Sequence, residues 1–221
     1  MSVIITCEAM RPIIAYLATS LDGFIADDRG NVEWLHDGNA FGFEEFMGRI
    51  DTVLMGRKTF DQLLSFDIPW PYRGKHCVVF TSKPPTVAFP DAEFVSTDPV
   101  EFARQLRRQP GKGIWVDGGA TLFTRFAQAQ AIDEWHLFVH PILLGAGVPV
   151  FWSAFPRTHL RRTHHQAYPC GVVHLGYETN RDSTPAHTLD TTSTGVASNP
   201  RSDNHGMGPG SGRQHLAMEG R

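Results

Sequence analysis

The chain has 221 residues, of which 41% are hydrophobic and 19% charged, and its formal net charge is −3 with histidine neutral. This composition is typical of a soluble α/β domain with a sizeable core, and the weak negative charge gives no electrostatic reason to expect nucleic acid or a membrane as a partner. Three scattered cysteines, without CxxC or Cys/His metal spacing, predict free thiols, no metal site and a cytoplasmic location.

The hydrophobic pattern predicts alternating strands and helices along residues 11–178. Predicted strands lie at 13–18, 52–55, 77–80, 92–95, 113–116, 134–142, 159–167 and 172–177. Predicted helices cover 43–50 and 59–64, a segment from Asp98 to Pro110, and a segment around 122–126. Asp98 is a suitable N-cap, Pro99 suits the first helical position, and Glu101 completes a capping box.

The order of these elements predicts the fold class and the domain limits. Early strand–helix alternation followed by closely spaced strands predicts a mixed sheet, antiparallel at its C-terminal strands, with helices on both faces. Composition changes sharply after Tyr177, and residues 179–221 hold too few large apolar side chains to form a core. We therefore predict a short extension at 1–11, one domain at 12–178 and a disordered tail at 179–221.

Two strand ends carry groups suited to phosphate. Gly56, Arg57, Lys58 and Thr59 open a helix after a buried strand, where backbone N–H groups and cations can bind a phosphate. The alternative is a solvated helix start with surface cations. The segment Thr81-Ser82-Lys83 follows the next strand and could hold a second phosphate, such as a nucleotide 2′-phosphate, or be an ordinary turn.

Two further loops are candidates for the site. The first is Gly118-Gly119-Ala120-Thr121-Leu122, a strand-to-helix turn whose backbone could contact a pyrophosphate, although it is not a GxGxxG motif. The second loop runs from Thr19 to Trp34 and could cover a ligand, with Asp22 as the carboxylate nearest the strand end. The alternatives are a tight turn and a backbone-capping aspartate. His136 and His140 share one strand face, and a structural role is favoured for both.

With these motifs in this order, the chain resembles the dihydrofolate-reductase-like superfamily. It is most similar to the C-terminal reductase domain of the riboflavin-biosynthesis deaminase-reductase and to the stand-alone relatives of that domain. The matching segments lie at 20–26, 55–60, 81–82, 118–122, 140–145 and 171–173, so that the resemblance covers about residues 12–178. It implies a three-layer α/β/α fold with a mixed central sheet.

The resemblance also implies NADPH as the hydride donor. In such proteins the helix starts and strand ends hold the cofactor phosphates, the Gly-Gly turn lies under the cofactor and often carries a cis peptide, and two apolar residues flank the nicotinamide. The corresponding residues here are Ala18, Ile25, Gly56, Arg57, Lys58, Thr59, Thr81, Ser82, Gly118, Gly119, Ala120, Thr121 and Leu122. A homodimer is a further implication of the resemblance.

These inferences lead to one main hypothesis about function. It is an NADPH-dependent reductase of a small heterocyclic or sugar-derived substrate, of the riboflavin type, with Asp22 orienting the substrate or relaying a proton. Dihydrofolate is an alternative substrate, but Glu44 and Glu45 do not match the pterin-binding carboxylate of dihydrofolate reductases. Two hypotheses from outside the enzyme class are a non-catalytic NADPH-binding protein and an interaction module that uses the tail.

Overall fold

The computed structural model of the protein describes residues 10–36, 38–66, 68–83 and 89–181. The strands are β1 (Ile13–Ser20), β2 (Phe24–Ala26), β3 (Ile50–Gly56), β4 (His76–Phe80), β5 (Glu93–Val95), β6 (Gly113–Gly118), β7 (Glu134–His140), β8 (Val148–Pro149), β9 (Leu160–Ala167) and β10 (Val173–Thr179). The α-helices are α1 (Phe43–Arg49), α2 (Arg57–Ser65), α3 (Pro99–Leu106) and α4 (Ala120–Gln128), and a 3-10 helix spans Gly38–Phe41.

The main sheet has eight strands in the order β5-β4-β3-β6-β1-β7-β10-β9. The strands from β5 to β7 pair in parallel, whereas β10 pairs antiparallel with both β7 and β9. This arrangement confirms the predicted mixed sheet. A separate two-stranded pairing of β2 with β8 was not predicted, because both strands are too short to show a periodicity.

Helices cover both faces of the sheet, since successive strand residues point to opposite sides. Ile13 belongs to a core packed with Phe123 and Phe126 of α4, while the next residue, Ile14, packs in a second core with Phe46 of α1 and Phe60 of α2. The three-layer α/β/α architecture therefore follows from unbroken apolar strands that are buried on both sides.

Local signals set the helix limits. Asp98 Oδ1 accepts hydrogen bonds from the backbone N–H groups of Val100 and Glu101, both at 3.0 Å, which confirms the predicted N-cap of α3. The Glu101 carboxylate bonds instead to Gln105, so the capping-box bond from Glu101 was a wrong assignment. Ile50, placed on the first helix by its spacing, opens β3. None of the helices in the described ranges is both long and apolar enough to cross a lipid bilayer.

The ends of the described chain are tied into the sheet. Arg11 is buried and ion-paired with Asp51, and β10 continues to Thr179, which bonds to the backbone of Ile132. The predicted extension at 1–11 and tail at 179–221 lie almost entirely outside the described residues. The division of the chain at 12 and 178 therefore stays a prediction.

Candidate active site

A cavity of about 1060 Å³ opens where β3 and β6 end and where α2 and α4 begin. Its volume suits a large organic ligand. Many of the predicted cofactor residues line it together, namely Ile25, Gly56, Arg57, Lys58, Thr59, Gly119, Ala120, Thr121 and Leu122. These residues come from separate stretches of the sequence, and the parallel sheet brings them to one edge.

Two helix starts face this cavity without side-chain caps. Gly56 is the N-cap of α2 and Gly119 is the N-cap of α4, and neither position supplies a side-chain acceptor for the first-turn N–H groups. Such groups, together with the positive end of the helix dipole, bind phosphate oxygens. The cavity therefore has two neighbouring positions that are suited to a phosphate.

Gly56 and Gly119 form the floor of the cavity between these two helix starts, and because they have no side chains this floor stays open. A Cβ atom on Gly56 would lie 3.8 Å from the carbonyl oxygen of Gly118, and one on Gly119 would lie 3.5 Å from Thr59 Oγ1 and 4.0 Å from Ile25 Cδ1. Side chains here would occupy the space between the two helix starts. The Gly118–Gly119 peptide bond is cis, as the resemblance led us to expect.

Arg57 links α2 to the segment that follows β4. Its Nε atom lies 2.7 Å from Asp61 Oδ1, and its guanidinium donates to the carbonyl oxygen of Lys83 at 3.0 Å. Thr81 and Ser82 lie beside this link but are not among the residues that line the cavity, whereas Phe80 is. A phosphate role for Thr81 and Ser82 stays a prediction.

The two residues assigned to the nicotinamide have different surroundings. Ile25 lines the cavity from β2. Ala18 instead packs with Phe41, Phe138 and Val172 in a small cluster on the α1 face, and it does not line the cavity. The structure therefore brings Ile25, but not the side chain of Ala18, to the candidate cofactor position.

Asp22 anchors a loop rather than lining the cavity. Its carboxylate accepts hydrogen bonds from Ser20 Oγ at 2.6 Å and from the backbone N–H groups of Leu144 and Gly145 at 3.2 and 2.7 Å. The bond from Ser20 contributes most to lowering the pKa of Asp22, followed by the two backbone bonds, so the side chain is ionised at neutral pH. This geometry favours the backbone-capping alternative, and the catalytic role stays a prediction.

A different carboxyl, Asp117, was not assigned a role from the sequence. It is the penultimate residue of β6, directly before the Gly118–Gly119 peptide bond, and it does not itself line the cavity. Asp117 is half-buried and accepts a hydrogen bond from Tyr72 Oη at 3.1 Å. Burial raises the pKa of Asp117 to about 7, although the Tyr72 bond acts in the opposite direction. An acidic residue at the end of an otherwise apolar strand was the available sequence signal.

The loop that follows β2 is fastened across the cavity. The side-chain amide of Gln62 on α2 donates to the carbonyl oxygen of Gly30 at 2.9 Å, and both residues line the cavity. Asp27 fixes the loop itself by accepting bonds from the backbone of Arg29 and from the backbone and side chain of Asn31. Sequence patterns alone do not reveal a bond between positions so far apart.

Other side chains considered from the sequence lie elsewhere. Glu44 and Glu45 are on α1 and do not line the cavity. His140 is buried, with its ring nitrogens near the carbonyl of Phe138 and the backbone N–H of His36. Within the described ranges, no group of three or more His, Cys, Asp or Glu side chains is arranged to hold a metal ion.

A mixed α/β sheet that is antiparallel at its C-terminal strands, has helices on both faces and carries a cavity at its carboxyl edge defines an α/β protein of the dihydrofolate-reductase-like class. The chain belongs to the RibD C-terminal domain family, whose model matches residues 11–174.

Relatives and solved structures agree with this assignment. The Bacillus subtilis (strain 168) proteins YwjB and YyaP, both uncharacterized, are 34% and 36% identical to it, over 68% and 77% of this chain and 88% and 96% of their own. A Shewanella sp. PV-4 structure named "Putative riboflavin biosynthesis protein" is 31% identical, with a TM-score of 0.70, covering 77% of this chain and 99% of that one.

A more distant solved structure shares the fold. The Thermotoga maritima diaminohydroxyphosphoribosylaminopyrimidine deaminase/5-amino-6-(5-phosphoribosylamino)uracil reductase is 19% identical, with a TM-score of 0.61. The match covers 77% of this chain and 57% of the Thermotoga chain. The family match and these structures make the chain a RibD-type, reductase-like domain.

Proposed function

We propose that this protein is an NADPH-dependent reductase that transfers a hydride to a small heterocyclic substrate of the riboflavin-biosynthesis type. The proposal rests on one observation: the N-termini of α2 and α4 both face the same large cavity, and their N-cap residues, Gly56 and Gly119, supply no side-chain cap. The spacing and openness of that floor suit a pyrophosphate, which is the central group of a dinucleotide. Membership of the RibD C-terminal domain family supports the same function.

The residues present fit such a cofactor. The first-turn N–H groups of α2 and α4 would hold its phosphates, and Lys58 and Arg57 would add charge-assisted bonds. Ile25 and Ala26 of β2 give an apolar wall, which excludes water from the reacting end. When bound, NADPH supplies the hydride, and the protein supplies orientation and shielding.

Asp117 is our candidate for the group that delivers a proton to the substrate. Because its pKa is raised to about 7, a substantial fraction of the carboxyl is protonated at neutral pH. Tyr72, which is itself buried, holds Asp117 Oδ2 in place through its hydroxyl group. Asp117 does not itself line the cavity, but it lies two positions before Gly119, which does.

Two measurements on the full chain test the function. Calorimetric titration with NADPH and then NADH is expected to show tight NADPH binding and much weaker NADH binding. Oxidation of NADPH, followed by absorbance, is then expected with 5-amino-6-(5-phosphoribosylamino)uracil as substrate but not with dihydrofolate. Binding of NADPH without turnover of either substrate would leave a cofactor-binding protein, and no binding of either cofactor would contradict the proposal.

Replacing Asp22 with alanine separates its two possible roles. The loss of the bonds to Leu144 and Gly145 frees the loop before β8, which pairs with the cavity-lining strand β2. We expect the Kd for NADPH to rise about three- to tenfold while kcat changes less than about threefold. A proton-relay role would instead lower kcat about 100-fold at unchanged affinity. Asp91→Ala, an exposed carboxylate outside this loop, is the control.

Replacing Gln62 with alanine tests the bond that fastens the 27–33 loop. Without the Gln62 amide, the hydrogen bond that joins Gly30 to α2 is lost, so the loop can open more often. We expect NADPH to dissociate about tenfold faster, measured by stopped-flow fluorescence, with a smaller change in the association rate. Gln105→Ala removes a similar amide that bonds to Glu101 on α3, and it should leave both rates unchanged.

A further inference from the structure

A second cavity, of about 470 Å³, lies on the α1 face of the sheet. We call it the histidine groove. It is lined by Tyr16, Ala40, Phe41, Gly42, Glu45, Phe46, Arg49, His136, His164, Gln166, Tyr168 and His174. None of these residues lines the larger cavity, so the groove is a separate feature of the described structure.

Strand register brings the polar groups of the groove floor together. Tyr16 of β1 lies opposite His136 of β7, which lies opposite Gly176 of β10, which in turn lies opposite His164 of β9. In the next row, His174 lies opposite Gln166. Paired residues share a face, so these side chains project on the same side of four neighbouring strands. Their convergence is a consequence of the antiparallel end of the sheet.

The imidazoles interact closely with each other. His136 Nδ1 and His174 Nε2 are 3.0 Å apart, so one ring donates a hydrogen bond and the other accepts it. The rings of His164 and His174 have centroids 4.8 Å apart, and His174 stacks on Phe138 at 4.1 Å. Two imidazolium ions at such distances would repel each other, so the protein by itself disfavours full protonation of the cluster.

Charged and titratable groups from every neighbouring element face this cluster. Arg49 and Glu45 come from α1, Tyr16 comes from β1, and Tyr168 directly follows β9. Glu134 of β7 accepts a hydrogen bond from Arg49 at 2.7 Å and lies 3.5 Å from His136 Nε2. Burial, followed by the proximity of His136 and His164, lowers the pKa of His174 to about 4. His174 is therefore neutral at pH 7 and able to take up a proton.

We propose that the histidine groove binds the phosphate group of a small phosphorylated molecule. The phosphate oxygens would accept bonds from the Arg49 guanidinium, the Gln166 amide and the Tyr168 hydroxyl, all of which line the groove. A dianion would also offset the repulsion between imidazoles and let them gain protons and donate. The rings of Phe41 and Phe46 give the organic part of the ligand an apolar surface.

Other features favour an anion over a metal ion in this groove. No set of three or more potential ligand side chains is arranged for a metal within the described residues. The Glu45 carboxylate is exposed to solvent, so water screens its repulsion of an anion. The proposal rests on the groove alone and does not depend on the function proposed for the larger cavity.

NMR of the histidine side chains tests the proposal, because no histidine lines the larger cavity and these signals report the groove. Inorganic phosphate, and separately phenyl phosphate, are titrated into the full chain at pH 7. We expect saturable shifts of His136, His164 and His174, and a rise of about one unit in the apparent pKa of His174. Tighter binding of phenyl phosphate than of inorganic phosphate would identify a phosphate ester as the ligand, and equal binding would identify free phosphate.

A matched pair of variants on β9 gives the control. His164 lines the groove, whereas His165 lies opposite Leu175 on the other face of the same strand. We expect His164→Asn to raise the Kd for the bound phosphate about fivefold or more, and His165→Asn to leave it unchanged. Gln166→Ala, expected to act in the same direction as His164→Asn, serves if that variant does not fold.

The proposal would be overturned by three results. The first is that neither phosphate probe moves the histidine signals. The second is that His165→Asn weakens binding as much as His164→Asn. The third is that zinc ions shift the signals at concentrations where both phosphate probes leave them unmoved, which would make the groove a metal site.

Discussion

Gly56→Val is expected to abolish tight NADPH binding while leaving the fold intact. Gly56 has φ −82° and ψ 161°, an extended conformation that valine adopts readily, and the nearest heavy atom to its added Cβ is Gly118 O at 3.8 Å. The backbone therefore accepts the substitution. The side chain nevertheless fills the floor between the two helix starts, where a phosphate must approach the first-turn N–H groups.

We expect the Kd for NADPH to rise at least about 30-fold, which corresponds to the loss of about 2 kcal/mol from charge-assisted bonds. Calorimetry measures the affinity, and thermal unfolding followed by circular dichroism checks the fold. Gly48→Val is the matched control, because Gly48 lies on the exposed side of α1 with no heavy atom within 4 Å of an added Cβ. Unchanged NADPH affinity in Gly56→Val would exclude this floor as the phosphate position.

The same glycine shows why the sequence predicts the cofactor side well. Gly56 ends a strand whose preceding residues, 53–55, are apolar, and it precedes a helix, and both elements follow from the spacing of neighbouring residues. Parallel strands then place their carboxyl ends on one edge, so residues at 56–59 and 119–122 meet without any further information. The local sequence pattern and the sheet topology were together sufficient to predict that these residues lie close to one another.

Asp22 shows where that reasoning fails. The sequence correctly places it at the end of a strand, but its role depends on Leu144 and Gly145, which are 122 and 123 positions further along the chain. The pairing of β2 with β8 and the bond from Gln62 to Gly30 are likewise contacts between distant segments. No local periodicity encodes such contacts, because they depend on how complete elements pack.

Asp117 was missed for a related reason. A carboxyl near the end of a strand is ordinarily exposed and ionised, whereas burial in the folded chain raises the pKa of Asp117 and outweighs the opposite effect of the Tyr72 bond. The residues around Tyr72 include Trp115 from the same strand as Asp117 and Cys77 from β4. This environment arises from the tertiary structure, so no local sequence pattern reveals it.

Asp117→Asn is expected to lower kcat/KM about 100-fold with little change in NADPH affinity, because the amide occupies the same space but cannot deliver a proton. In a profile of kcat/KM against pH, the wild-type value should fall as the pH rises through about 7, where the carboxyl loses its proton. The Asp117→Asn variant should lack this descending limb of the profile. Tyr72→Phe removes a bond that lowers the pKa of Asp117, so the limb should move to higher pH. A carboxyl with only a structural role would leave the position of the limb unchanged in Tyr72→Phe.

The same ionisation should appear in the stability of the protein without any substrate. Because the pKa of Asp117 is raised from 3.8 to about 7 on folding, the folded state holds a proton that the unfolded state releases between these values. The free energy of unfolding should therefore decrease as the pH rises from about 4 to about 7, by up to about 4 kcal/mol, and be insensitive to this group above pH 7. Denaturant unfolding at pH 4.5 and pH 8 should show Asp117→Asn gaining stability relative to the wild type at the higher pH. If the difference between the two proteins is the same at both pH values, the carboxyl is not held protonated, and another group must supply the proton.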